Sequence, residues 1–291
     1  DYGQGSDTIL CQIAAEELGV EVRNVRVVSP DTDVTPFDHG TASSRSTFHM
    51  GNAVKLAAAE AKKQLFEVAA DQLEVRPEDL ESRGGFIYVK GSKGPGTPIS
   101  AIRMGITYGK GHPITGSGTF SVPDATPLDQ ETGQGVYPSI FWLYGAQGVE
   151  VEVDPDTGKV EVLKVAAAHD LGRVINPLNC EQQVEGAVLT GVGIALLEEL
   201  VLQNGTPVNR NFRDYRIPTA MDSPEVTSIF VEATHKDGPF GAKGVGEPAL
   251  APTAPAIGNA VHSAIGVRIK DLPITPEKIL KALKEKGEKK R

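Results

Sequence analysis

The apolar positions Ile9, Ile13, Ala14 and Leu18 recur at helical spacing. With Ser6 or Asp7 as N-cap and Gly19 as stop, they predict a first helix. An alanine-rich run from about Phe48 to Leu73 predicts a long second helix, with Leu56, Ala59, Lys63, Phe66 and Ala70 on one mostly apolar face. Asn176-Pro177 opens another, running to about Leu200. Its small residues, Gly186, Ala187, Gly191, Gly193 and Ala195, call for very close packing against a neighbour. Ile99 to Tyr108, Pro252 to Gly266 and the amphipathic stretch Pro276 to Lys286 complete the helices. Apolar–polar alternation predicts strands at Val20–Val28, Phe86–Lys90, Gly116–Val122 and Val226–Ala233. Tyr144–Val153 and Lys159–Ala168 form a hairpin about Asp154-Pro-Asp-Thr-Gly158, and Asn204-Gly205 marks a second hairpin turn. Strands and helices mix without a βαβ rhythm, so the fold class is α+β, with mixed sheets and packed helices. The polar stretch 123–138, bearing Pro and Gly, is the best internal boundary, dividing 1–122 from 139–291.

Composition narrows the function. The 291 residues are 40% hydrophobic and 23% charged, ordinary for a soluble globular protein and enough for one large core or two smaller ones. A net charge of −9 gives no global reason to bind nucleic acid or an acidic membrane, and the basic tail Lys281–Arg291 reads as a solvated end. Cys11 and Cys180 make no disulfide framework and cannot alone hold an iron–sulfur cluster, so a reducing, cytoplasmic setting is expected. No apolar run approaches the roughly 20 residues that span a bilayer, and no signal peptide is evident. The chain begins in the middle of what reads as a motif, without a methionine, and is taken as a piece of something longer.

Common catalytic signatures are missing. No Gly-x-Gly-x-x-Gly follows a strand, and no Walker A loop, His-Glu-x-x-His or Gly-x-Ser-x-Gly occurs. The six histidines show no metal-ligand spacing, so no metal ligand is assigned. Any chemistry here is expected to come from a bound cofactor.

Four polar segments are candidates to hold one. Gly3-Gln4-Gly5 offers a side-chain amide and backbone N–H groups at a helix start. Thr41, Ser43, Ser44, Ser46 and Thr47 crowd hydroxyls around Arg45 before the second helix, more than N-capping alone explains. Gln182, Gln183 and Glu185 place amides and a carboxylate on an otherwise apolar helix, either as an exposed polar turn or facing its packed side. Gly241-Ala-Lys243-Gly244-Val-Gly-Glu247-Pro248 is a glycine-rich loop that ends in a carboxylate, with proline placed to start a helix. Such donors suit a large polar heterocycle bearing phosphate, with Glu247 left for acid–base work. The residues alone do not name the heterocycle.

The motifs resemble a known family. Gly3-Gln-Gly5 with Thr8 and Gln12, Gly40-Thr-Ala-Ser-Ser-Arg-Ser-Thr47, Asn176-Pro177 with Gln183-Val-Glu-Gly-Ala187, and Gly241-Ala-Lys-Gly-Val-Gly-Glu-Pro248 are similar, in order, to segments of the xanthine dehydrogenase/aldehyde oxidase family of molybdenum hydroxylases. The likeness points to the C-terminal half of the molybdopterin-binding subunit. It implies a molybdenum pyranopterin cofactor, commonly the cytosine dinucleotide form in bacterial relatives, with iron–sulfur clusters and FAD on other domains or subunits. It further implies hydroxylation of an aldehyde or N-heteroaromatic substrate, with Glu247 as general base. Gln4, Ser43, Ser44, Ser46 and Gln183 would contact the pterin or its phosphate tail, and Lys243 would support the Glu247 loop. The family's N-terminal half, which supplies another wall of the pocket, is absent, so the isolated fragment is expected to be inactive. Two rival readings are a non-catalytic cofactor-binding or assembly module and a nucleotide-binding domain using the Thr41–Thr47 loop.

Overall fold

The computed structural model describes residues 1–102, 113–122 and 124–288, which divide into two compact units. The first comprises 1–142 and 234–244, the second 143–233 and 245–291.

In the first unit, helix α1 (Ser6–Leu18) is preceded by Gly5 at φ 83°, so a glycine, rather than Ser6 or Asp7, takes the N-cap. Gly19 ends the helix at φ 71°, its N–H reaching the Ala15 and Glu16 carbonyls. A Cβ at Gly19 would collide with Ser82, so the close docking of this helix end requires the glycine. The following stretch is not the expected strand. It holds a short 3-10 turn at Val22–Asn24, and Val22, Val27 and Val28 are exposed. Alternation there has no neighbouring strand among the described residues and no core to face, so it does not become a ladder.

A single π-turn, Ser46–Met50, leads into helix α2 (Gly51–Leu73). The face it buries is Gly51, Ala58, Leu65, Ala69 and Ala70, whereas Leu56 and Lys63 point to solvent. Small residues win the inner face because α1 and the turn Pro239–Gly241 come close: a Cβ on Gly51 would meet Ile13 at 2.8 Å and Pro239 at 3.0 Å. Strands β1 (Leu80–Arg83), β2 (Phe86–Val89) and β3 (Thr97–Pro98) form an antiparallel meander. Leu80 and Ile87 from this meander join Leu65, Ala69, Ala70 and Ile102 in the unit's core. Ile99–Ala101 is one 3-10 turn, and the rest of the expected helix, from 103, lies outside the described residues, as does His112.

The expected strand at Gly116–Val122 also forms no ladder. It is an extended segment laid along α2. Gly116 and Gly118 press on the backbone of Ala57 and Ala53, Ser117 donates its N–H to Glu60 at 2.6 Å, and Gln64 donates to the Thr115 carbonyl at 2.7 Å. A helix four residues apart, rather than a strand, reads its alternation.

The second unit is built on β4 (Gly145–Val153) and β5 (Val160–Asp170), paired antiparallel about a turn in which Asp154 accepts from the Asp156 N–H (2.9 Å) and the Thr157 hydroxyl (2.7 Å). Helix α3 (Pro177–Leu196) follows, N-capped by Asn176, whose side chain accepts from the Asn179 N–H at 3.2 Å. The small hairpin β6 (Leu202–Gln203) and β7 (Thr206–Pro207) turns on Asn204 and Gly205, both at positive φ. Strand β8 (Glu225–Val231) then returns to lie parallel to β5, which makes the sheet mixed and the fold α+β. The inward residues Val149, Val151, Val162, Val165, Ala167, Val226 and Phe230 pack with Val184, Val188 and Val192 of α3 and with Ile257 and Val261 of α4 (Thr253–Ile265). Residues Gly191 and Thr253 meet so closely that a Cβ at 191 would enter the threonine side chain, the close approach that the small residues of α3 foreshadowed. Helix α5 (Pro276–Glu288) supplies Lys286, whose ammonium donates to the Ile265 carbonyl at the end of α4 (2.6 Å).

Candidate functional site

Within the first unit, two of the polar segments come together. Gln4 Nε2 donates to Ser6 Oγ at 2.9 Å and to Thr41 Oγ1 at 3.4 Å, and Ser46 Oγ donates to the same Thr41 oxygen at 3.0 Å. Sequence distance is bridged by 37 residues. All four side chains are partly exposed, a cluster of neutral donors and acceptors at the surface of the unit. Neither helix start uses them as side-chain caps. A carboxylate already stands at the start of α1: Asp1 accepts from the Gly3 N–H (2.7 Å) and the Asp7 N–H (3.0 Å). That end therefore binds an anionic oxygen through backbone amides.

Ser43 and Ser44 lie consecutively in the left-handed region, at φ 53° and 52°. Non-glycine residues adopt it at a cost of order 1–3 kcal/mol each, and persist there only when their surroundings dictate it. For Ser44 the surroundings include Gly244, whose Cα packs against the Ser44 carbonyl with no space for a Cβ. Lys243 is 9% exposed and donates from Nζ to the Trp142 carbonyl at 2.9 Å. Asn52 Nδ2 bridges the carbonyls of Phe48 (2.9 Å) and Asp237 (2.8 Å), tying the start of α2 to the segment that runs on to Lys243 and Gly244. His49 stands beside this region with its Nδ1 buried and unpartnered, and burial, then the nearby Arg45 charge, lowers its pKa.

Within the second unit, Glu247 opens a 3-10 turn, Glu247–Ala249, with Pro248 at its first positions and α4 just beyond. Its side chain is exposed in this chain. Gln183, half-buried on α3, donates from Nε2 to the Val245 carbonyl at 3.2 Å, so its amide faces the loop that carries Glu247. Gln182 and Glu185 on the same helix are exposed. A residue that sequence reasoning missed is Gln147 of β4, which donates to the Ala249 carbonyl at 2.7 Å. The signal was available: the inward positions of this strand read Gln147, Val149, Val151, Val153, one amide in an apolar row.

Other expected chemistry has simple structural forms. Cys11 and Cys180 are free thiols, and burial pushes the latter up to about 11, which keeps it protonated and inert at neutral pH. Among the described residues no group of three His, Cys, Asp or Glu side chains is placed to hold a metal ion, and no helix is long and apolar enough to cross a membrane.

Comparison with known proteins gives these groups a context. A family model described as a molybdopterin cofactor-binding domain matches residues 1–224. The chain is 37% identical over 285 residues to the 6-hydroxypseudooxynicotine dehydrogenase complex subunit gamma of Paenarthrobacter nicotinovorans, covering 95% of this chain and 34% of that one. It is 36% identical over 283 residues to a putative xanthine dehydrogenase molybdenum-binding subunit of Escherichia coli, covering 96% of this chain and 36% of that one. The crystal structure of quinoline 2-oxidoreductase from Pseudomonas putida superposes with a TM-score of 0.83 at 27% identity, covering 98% of this chain and 36% of that one. The chain thus spans about a third of the length of the relatives it matches.

Proposed function

The chain belongs to the molybdopterin cofactor-binding domain family of xanthine dehydrogenase- and aldehyde oxidoreductase-type subunits, and on that premise we propose that Glu247 is the general base of a molybdenum hydroxylase. Gly3, Gln4, Gly5, Thr41, Ser43, Ser44, Ser46 and Gln183 are proposed to bind the cofactor, with Lys243 and Gly244 of the glycine-rich loop in support. When bound, the molybdenum pyranopterin supplies the redox chemistry for hydroxylating an aldehyde or N-heteroaromatic carbon with oxygen from water. The cytosine dinucleotide form, and iron–sulfur and flavin partners that take the electrons, complete the proposal. Subunit names among the relatives favour such an assembly.

The observation that carries the reading is the Gln4–Thr41–Ser46 cluster. Amides and hydroxyls hydrogen-bond a phosphate or a heterocycle edge without a compensating ion, and each can turn to donate or accept. The Gly3 and Asp7 amides at the same helix end donate to the Asp1 carboxylate, the kind of anionic oxygen that such groups hold. Left-handed backbone at Ser43 and Ser44, dictated in part by Gly244, fixes how the loop presents its N–H and hydroxyl groups. Lys243 is turned onto the Trp142 carbonyl, so its part is to brace the glycine-rich loop. Glu247 is a carboxylate on an exposed turn, able to take a proton from a bound water or hydroxyl and pass it to solvent.

The test is Glu247→Gln in the complete complex. Hydroxylation is expected to fall by about 10²–10⁴-fold, the range for losing a general base, with molybdenum content unchanged. Retained turnover overturns the assignment. A wild-type complex that purifies without molybdenum would instead favour an assembly module.

A further inference from the structure

The turn that carries Glu247 is gripped on both sides by a glutamine amide. Gln183 holds the Val245 carbonyl, two residues before it, and Gln147 holds the Ala249 carbonyl, two residues after it. The other end of the Gln147 amide is engaged as well: its Oε1 accepts from the Thr253 hydroxyl at 2.8 Å. That hydroxyl also lies 3.4 Å from the Ala249 carbonyl, from a side chain with no exposed surface. An amide on the inward row of a sheet costs stability unless its polar atoms find partners, and here donor and acceptor both do. Gly191 makes the arrangement possible, since its bare Cα lets α3 close on Thr253. Strand, helix and turn therefore meet around one carbonyl.

We propose that Gln147, acting through the Ala249 carbonyl and together with Thr253, is a positioning residue that fixes where the Glu247 carboxylate stands. The proposal rests on the assignment of Glu247 as base. Sequence separation makes the grip informative, because Gln147 reaches across 102 residues to a turn whose local bonds include the Leu250 and Ala251 N–H groups on the Glu247 carbonyl, at 3.0 and 3.3 Å, and the Ala249 N–H on the Gly246 carbonyl, at 3.1 Å. Loss of the anchor leaves the turn held at its Gln183 side and free to pivot at the other. A misplacement of about 1 Å at a catalytic group costs around a hundredfold in rate.

The experiment compares Gln147→Leu, Thr253→Val, Thr253→Ser and Val149→Ala in the complete complex. Val149 lies on the same inward row, makes no side-chain hydrogen bond, and controls for lost packing. Gln147→Leu is expected to lower kcat by about 10- to 100-fold with KM within a few-fold, to move the acid limb of the pH–rate profile, and to leave molybdenum content unchanged. Thr253→Val moves the same way, and Thr253→Ser restores most of the loss. Independently of turnover, hydrogen exchange at Leu250 and Ala251 is expected to quicken in Gln147→Leu and Thr253→Val but not in Val149→Ala. Unchanged exchange and kcat in Gln147→Leu, or equal changes in Val149→Ala, would overturn the proposal. Should Gln147→Leu not fold, the Thr253 pair decides by the same criteria. If Glu247→Gln proves silent while exchange still responds, the base assignment has failed and the anchoring of the turn has not.

Discussion

Gly244 packs its bare Cα onto the carbonyl of Ser44, and no side chain fits between them. The contact joins a glycine-rich loop to the hydroxyl loop more than a hundred residues earlier, and it backs one of the two consecutive left-handed serines. Gly244→Ala forces the two backbones apart. It is expected to cost about 1–3 kcal/mol, the usual range for overpacking, read as a lower urea midpoint at an unchanged m-value. Cofactor content of the purified complex should fall with it, because the hydroxyl loop loses its support.

Gly191→Ala tests the corresponding approach in the second unit. The added methyl enters the Thr253 side chain, so about 1–3 kcal/mol of stability is expected to be lost. Gly186→Ala on the same helix serves as the contrast. Gly186 is exposed with open space at its Cβ position, and replacement by a better helix former is expected to raise stability by about 0.5–1 kcal/mol.

Helix α3 begins on the Asn176 side-chain cap. Asn176→Ala removes the acceptor for the Asn179 N–H and is expected to cost about 1 kcal/mol by thermal or urea denaturation. Asn176→Asp restores most of it.

Stability should decline on mild acidification. His169 is 2% exposed with an unpartnered Nε2, and burial lowers its pKa. His49 is shifted down in the same direction. Above about pH 6.5 both rings are neutral folded and unfolded, and contribute nothing. Below it the unfolded chain takes up protons that the native state refuses, so stability falls with pH until each folded-state pKa is passed. The slope for His169 is at most about 1.4 kcal/mol per pH unit. Urea titrations between pH 7 and 5 on wild type and His169→Asn should show a shallower decline in the variant.

Most of the helices, and the β4–β5 hairpin, could be read from the sequence because each carries its own punctuation. Gly19, Asn176-Pro177 and Gly158 set boundaries through backbone requirements that hold whatever the chain packs against. Failures fell where alternation met an unexpected neighbour. Val20–Val28 has valines without a core beneath them, and Gly116–Val122 lies on a helix instead of a strand. The inner face of α2 was misread for a related reason. Contact distance there selects Gly51 and Ala58 over the larger Leu56. Of the candidate site, the hydroxyl cluster was visible as composition, since five hydroxyl residues in seven exceed what a cap requires. Gln147 was overlooked because the amide in the apolar row of β4 takes its meaning from a turn a hundred residues away, and that partner is not written locally.

The bond from Gln147 to Ala249 also sets an order in time. At about 5–20 residues per second, roughly 5–20 s of translation separate the strand from the turn it holds. In that interval β5, α3 and β8 are made and the mixed sheet is able to assemble. Glu247 then emerges onto a sheet already made, and α4 and α5, translated after it, close the unit's core over that sheet.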